Sequence, residues 1–172
     1  MGRAMNESFF RRPVLTSHCA HPASIRSLTK SGCRVAAVDI TAERKMKGLV
    51  VAEPWVSLII SGEKIWEMRS RNTLVRGRIA LIRKGSKTVI GIADLVRTLP
   101  KLTPSELKAS VVNHRVPESE IGKDFKQSTA WVLQHARPLR EPVPYRHPVG
   151  AVIWVNLDPE VAAMVEKRLA LG

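Results

Sequence analysis

The sequence predicts an α+β fold that is mainly β: a small, partly open β-barrel with flanking helices. Three observations predict it. From Lys47 onward, apolar residues fall into short runs of strand length separated by turn residues. Between them lie a few segments with helical spacing and helix-start chemistry. No run approaches the roughly 20 apolar residues that a membrane helix needs; the best, Leu49 to Ile60, is interrupted by Glu53 and Pro54. Many short strands with few helices bury their apolar faces most simply by curling into a small barrel.

Gly48 to Ala52 (GLVVA) reads as a short buried strand. Glu53 to Ile60 reads as a helix, with Pro54 in its first turn and Trp55, Leu58 and Ile59 on one face. Ser61-Gly62 ends it, Gly62 suiting the left-handed residue after a helix. Residues 64–69 alternate, and Asn72 and Gly77 then punctuate the chain. Arg78 to Arg83 and Thr88 to Val96 read as two strands joined by a turn at Lys84-Gly85-Ser86. Thr103-Pro104-Ser105-Glu106 is a capping box with proline at the first helical position. A polar, poorly periodic stretch runs to Ser128. Ala130 to His135 and Ala151 to Asn156 read as the closing strands, separated by the proline-rich segment Pro138 to Pro148. The last segment, 158–171, is a helix. Asp158 caps it, Pro159 starts it, and Val161, Met164, Val165 and Leu169 form its apolar stripe.

Residues 1–45 differ in texture. They hold eight Lys/Arg and three Asp/Glu, with serines and prolines and no sustained period. They are expected to be a disordered basic N-terminal extension, or to precede a working start at Met46. A transit-type presequence, Arg- and Ser-rich and poor in acids, is the other reading. The domain proper is expected over 46–172. His18, Cys19, His21 and Cys33 match no standard zinc spacing, so no metal or other cofactor is expected. Nothing in the cysteine usage demands an oxidising compartment, and a cytoplasmic location is the expectation. The whole chain has 172 residues, 44% of them apolar, and a formal net charge of +13. That composition disfavours full disorder and draws the protein to polyanions: RNA, DNA or an acidic membrane surface. There is no G-x-S-x-G, H-E-x-x-H or P-loop, so those hydrolase classes have no support.

The informative stretch is Gly62-Glu63-Lys64-Ile65-Trp66-Glu67-Met68-Arg69. It resembles the G-x-K-x-x-E-x-R signature of the ASCH domain family. Further blocks resemble that family in the same order: Leu49 to Ile60, Arg76 to Ile79, Ile90 to Leu95, Ala130 to Leu133 and Gly150 to Trp154. Several blocks in order are far more specific than one octet. The resemblance implies a PUA-like barrel with a cleft beside the motif. It also implies RNA binding, a coactivator-type role, RNA cleavage, or hydrolysis of the acetyl group on the exocyclic amine of acetylated cytidine. A family of this breadth constrains fold better than reaction. Glu67 stands where simple amidohydrolase-like members carry a hydroxyl residue. Their downstream acid has only Glu118 and Glu120 as stand-ins.

The residues also make chemical sense alone. Gly62 lets the chain leave the helix and approach a ligand. Lys64 supplies a charge for phosphate or, desolvated, a nucleophile or base. Glu67 is able to orient Lys64 or Arg69, and Arg69 offers a planar fork to phosphate. Lys64 and Glu67 are therefore the candidate catalytic pair. In a regular strand they face opposite sides, so Lys64 must sit in the turn or the strand must bulge. An ordinary ion pair between Glu67 and Arg69 accounts for their spacing equally well.

Between Met68 and Ala93 lie seven cations and no acid: Arg69, Arg71, Arg76, Arg78, Arg83, Lys84 and Lys87. They are expected to form one positive surface for a phosphate backbone. Arg137, Arg140, Arg146 and His147, around Tyr145, are expected to form an opposite wall. Trp55 and Trp131 are the candidate stacking platforms for unpaired bases, and Trp154 is expected in the core. Ser128 is a candidate hydrogen-bond donor to the ligand. Together these features point to an RNA-binding or modified-nucleoside-binding protein. The alternatives are a small RNA-directed hydrolase using Lys64 and Glu67, and a protein-interaction module in transcription or translation.

Overall fold

The computed structural model describes residues 45–122 and 124–170. The predicted extension, with His18, Cys19, His21 and Cys33, lies outside the described residues but for Lys45.

The chain runs β1 (Lys47–Val51), α1 (Trp55–Ile60), β2 (Trp66–Arg69), β3 (Gly77–Arg83), β4 (Thr88–Lys101), α2 (Pro104–Ala109) and α3 (Val111–His114). A 3-10 turn (Glu118–Glu120), β5 (Thr129–Pro144), β6 (Trp154–Asn156) and α4 (Pro159–Ala170) complete it. The strands form one six-stranded sheet in the order β2-β5-β4-β3-β1-β6. β1 and β3 are parallel; the other neighbours are antiparallel. The register between β4 and β5 shifts at four places. Each such irregularity adds local twist and bend, so the two long strands curl the sheet into a half-barrel.

β5 overrides the expected break after His135 and continues through Pro138, Pro142 and Pro144. The reason is positional. β2 pairs only with Thr129 to Val132, so beyond Val132 the other side of β5 is a free edge, where proline is tolerated. The expected strand 151–156 shortens to three residues, β6. Within the polar stretch before Ser128 the chain forms α3 and the 3-10 turn, which the lack of periodicity concealed. The capping box forms with both arms: the Thr103 hydroxyl accepts from the Glu106 amide, and the Glu106 carboxylate accepts from the Thr103 amide.

Strand alternation divides the core. Leu49, Val51, Ile79, Leu81, Trp131 and Leu133 face one side, where Val56 and Ile59 of α1 pack on them. Val50, Ala80, Ile82 and Val155 face the other, covered by Val161 and Val165 of α4. Met68 and Ala130 pack with Leu107, Val116 and Ile121. Each fully buried aliphatic side chain contributes about 1.5–3 kcal/mol, so Val56 and Ile59 are the main anchors of the six-residue α1. Gly91 makes its close seating possible: a Cβ there would lie 2.7 Å from the Arg137 carbonyl and 3.1 Å from Ile60 Cδ1. The seating of α1 in turn places the Gly62–Lys64 turn at the seam of the barrel.

Candidate functional site

Gly62 follows α1 with φ +81°, a left-handed conformation that a side chain would strain. The chain reverses there, and the Lys64 amide donates to the Leu58 carbonyl at 2.9 Å. A second element clasps this turn. The Ile65 amide donates to the Asn113 carbonyl at 3.0 Å, and Arg115 Nε donates to the Glu63 carbonyl at 2.8 Å. Lys64 therefore sits in the turn before β2. Glu67 and Arg69 share one face of β2, and the lysine reaches that face from the turn.

Lys64 is 2% exposed. Its Nζ donates to the His114 carbonyl at 2.7 Å, lies 3.6 Å from Glu67 Oε2, and stands 5.0 Å from the centre of the Trp55 ring. Burial pulls the ammonium below the usual lysine range; the charge and hydrogen bonding of Glu67 work against that pull. Arg69 Nη2 lies 3.1 Å from Glu67 Oε1 and donates to the Val50 carbonyl at 2.8 Å. β6 pairs β1 only as far as Leu49, so the guanidinium satisfies a carbonyl that the ladder leaves open. Arg69 also lies over the Trp131 ring, 5.7 Å from its centre. Arg69 Nε and Ser128 Oγ are buried without a hydrogen-bond partner among the described residues.

His114 anchors the arrangement from behind. Its ring is fully buried; Nδ1 accepts from the Val116 amide at 3.0 Å, so Nε2 carries the proton and donates to the Leu107 carbonyl at 2.9 Å. Burial holds His114 below the usual histidine range, with the Leu107 bond opposing and the Lys64 charge reinforcing.

Lys64, Glu67 and Arg69 line a cleft of about 450 Å³. Trp55, Met68, Val116, Phe125 and Ile153 supply apolar walls, and Ser70, Lys84, Glu120 and Gln127 are its other polar side chains. Of the two candidate downstream acids, Glu120 lines the cleft and Glu118 does not.

The other expected site residues disperse. Trp55 lines the cleft, half-buried. Trp131 does not: it is 2% exposed, stacked on Trp154 at 5.4 Å, and its indole donates to the Arg71 carbonyl at 3.0 Å. Opposite Glu67 on β5, its ring supports Arg69 from the core side. Ser128 is buried outside the cleft lining, and Gly62 shapes the turn without lining the cleft. Arg71 is exposed away from the cleft lining. Three of the seven cations expected on one positive surface have partners within the domain. Arg78 pairs with Glu166 of α4 at 3.0 Å, Arg83 pairs with Glu53 at 2.8 Å, and Arg76 donates to the Thr73 and Val75 carbonyls, both at 2.7 Å. Alternation along β3 and the turns around it sends these cations to different neighbours. Tyr145 is mostly buried and borders a separate hollow. Sequence reasoning missed His114 and Arg115. Their one signal is a histidine and an arginine just before Val116-Pro117, where a short helix must stop.

The sequence matches the ASCH domain over residues 49–143, more than half of the chain. The chain belongs to the ASCH domain family. The octet thus lies inside the matched region, and its Lys64, Glu67, Met68 and Arg69 line the cleft. In fold the ASCH half-barrel is similar to the crystal structure of ASCH from Zymomonas mobilis: TM-score 0.55 at 20% identity, covering 75% of this chain and 96% of that one. Two substituted forms of that protein agree. One gives TM-score 0.56 at 20% identity (72% and 98% covered), the other 0.55 at 22% (74% and 96%). The mainly β, PUA-like architecture expected from the sequence is the one present. A search of the curated proteins finds no match. Among the described residues, no helix is long and apolar enough to cross a membrane.

Proposed function

We propose that this ASCH domain binds RNA by seating one unpaired base, or a modified nucleoside, in the cleft beside Lys64, Glu67 and Arg69. The observation that carries the reading is the composition of the cleft. Its volume of about 450 Å³ is of ligand size, its walls offer an aromatic face at Trp55, and its floor carries a small set of fixed polar groups. Glu67 and Glu120 are acceptors for the exocyclic amine of a base, and Lys64 and Arg69 are donors for its carbonyls. The net charge of +13 supports RNA as the source of that base.

The burial of Lys64 favours a second reading, in which the cleft hydrolyses its ligand. A lysine that only held phosphate would gain nothing from being 2% exposed beside a carboxylate. A lysine drawn toward its neutral form is suited to take a proton from water. On an acetylated exocyclic amine, that water adds to the acetyl carbonyl carbon and the C–N bond breaks. The proton passes to the departing amine, leaving acetate and the unmodified base.

Incubating the protein with modified nucleosides, acetylated cytidine among them, and with labelled RNA tests both readings. Retention without turnover supports binding alone; turnover supports the hydrolase. Lys64→Arg keeps the charge but stays protonated, so it should spare binding and abolish turnover. If wild type neither retains nor converts any of these ligands, both readings fail.

A further inference from the structure

Beside the cleft lies a second hollow of about 250 Å³. The two share Val50, Lys84 and Val152, so a ligand can run from one to the other past the Lys84 side chain. Their charges differ in kind. The cleft mixes Lys64, Arg69 and Lys84 with Glu67 and Glu120. The second hollow carries Lys84 and Lys87 and no carboxylate. A phosphate placed in the cleft meets two acids beside its cations; in the hollow the charged side chains it meets are Lys84 and Lys87.

Both lysines are available. The neighbouring Arg83 is held by Glu53, whereas Lys84 and Lys87 are exposed and make no ion pair among the described residues. Their backbone is fixed: the Lys84 amide donates to the Val51 carbonyl at 2.8 Å, and the Lys87 carbonyl accepts from the Tyr145 amide at 3.1 Å. The opposite wall is braced too. Tyr145 Oη donates to His147 Nδ1 at 2.7 Å, and His147 Nε2 donates to the Ala151 carbonyl at 2.9 Å. Val152, next in the chain and 74% exposed, stands between the two hollows as an apolar ridge.

We infer that the second hollow is a phosphate subsite: the ligand is a nucleotide of an RNA strand, its base in the cleft and an adjacent phosphate on Lys84 and Lys87. The inference rests on the reading of the cleft as a base site, and it makes a free nucleoside the poorer ligand.

Affinities are measured by calorimetry for acetylated cytidine and the four ordinary ribonucleosides, each beside its 5′- and 3′-monophosphates. Wild type is compared with the double variant Lys84→Gln/Lys87→Gln. Both positions are exposed, so the variant should fold, which a thermal melt checks. For wild type, one of the two monophosphates should bind about tenfold more tightly than its nucleoside. That ratio should collapse toward one in the double variant, and shrink in wild type as salt rises. Nucleoside binding with no gain from phosphate, or a gain that survives the double substitution, overturns the subsite and leaves the base site standing. Absence of binding by every nucleoside and every monophosphate overturns both.

Discussion

Glu67 holds the site together electrostatically, and Glu67→Gln measures how strongly. The carboxylate lies between Lys64 and Arg69, at 3.6 Å and 3.1 Å. The substitution keeps its shape and one acceptor oxygen but leaves two cations facing each other in a largely buried site. Arg69 cannot give up its charge and falls back on the Val50 carbonyl. Lys64 can, which caps the cost. Neutralising at pH 7 an amine of ordinary value near 10.5 costs at most about 5 kcal/mol, at about 1.4 kcal/mol per unit. Wild type already bears part of that through burial, and the glutamine oxygen still accepts a hydrogen bond. The expected loss is therefore about 2 kcal/mol at pH 7, below the usual cost of breaking a buried pair. The pH dependence is the sharper signature. Losing Glu67 lowers the folded-state value for Lys64 further, while the unfolded value is unchanged. The Lys64 share of the deficit then shrinks as pH rises toward the wild-type folded value, above which both proteins hold a neutral amine. Urea unfolding followed by tryptophan fluorescence at pH 7 and pH 9.5 reads this directly. Lys64→Met added to Glu67→Gln should recover part of the loss. A deficit below about 0.5 kcal/mol, or one equal at both pH values and untouched by Lys64→Met, would refute the coupling.

Three further predictions follow from the same geometry. His114→Gln should cost about 2 kcal/mol by disturbing two buried hydrogen bonds. Because His114 is held below its ordinary value, wild-type stability should be full above about pH 6.5 and fall as pH drops below it, a slope the variant flattens in acid unfolding curves. Arg76→Ala/Arg78→Ala should change the salt slope of RNA binding little, since both side chains are engaged within the domain, whereas Lys84→Gln/Lys87→Gln should lower it by about one to two. A chain starting at Met46 should melt cooperatively within about 5 °C of the full chain, the change in texture there being its motive; a larger drop in the calorimetric midpoint would show that residues 1–45 stabilise the domain.

Much of the architecture was legible because it rests on local rules. The short helix after Glu53-Pro54, the capping box at Thr103, the turn at Lys84-Gly85-Ser86 and the helix after Asp158 are each decided by residues within a few positions of one another, although α1 buries Val56 with Ile59 where Trp55 and Leu58 were expected beside Ile59. The octet was legible for a similar reason: glycine, lysine, glutamate and arginine lie within eight residues, and the break between α1 and β2 puts Lys64 in the turn. The strand through Pro138 to Pro144 was not legible, because whether proline is tolerated depends on which side of β5 has a neighbour.

The sequence alone determined the mainly β barrel class, the helices that flank it, and the identity of three polar residues that meet at its seam. Only the tertiary structure decided what surrounds them. Trp131 goes to the core and Trp55 to the cleft, Arg78 pairs with α4, and the His114 carbonyl receives Lys64, the last two being contacts across 88 and 50 residues of chain. No local propensity encodes such a contact. It arises where the curl of β4 and β5 brings the edges of the sheet together, and where burial then decides which charges keep their partners.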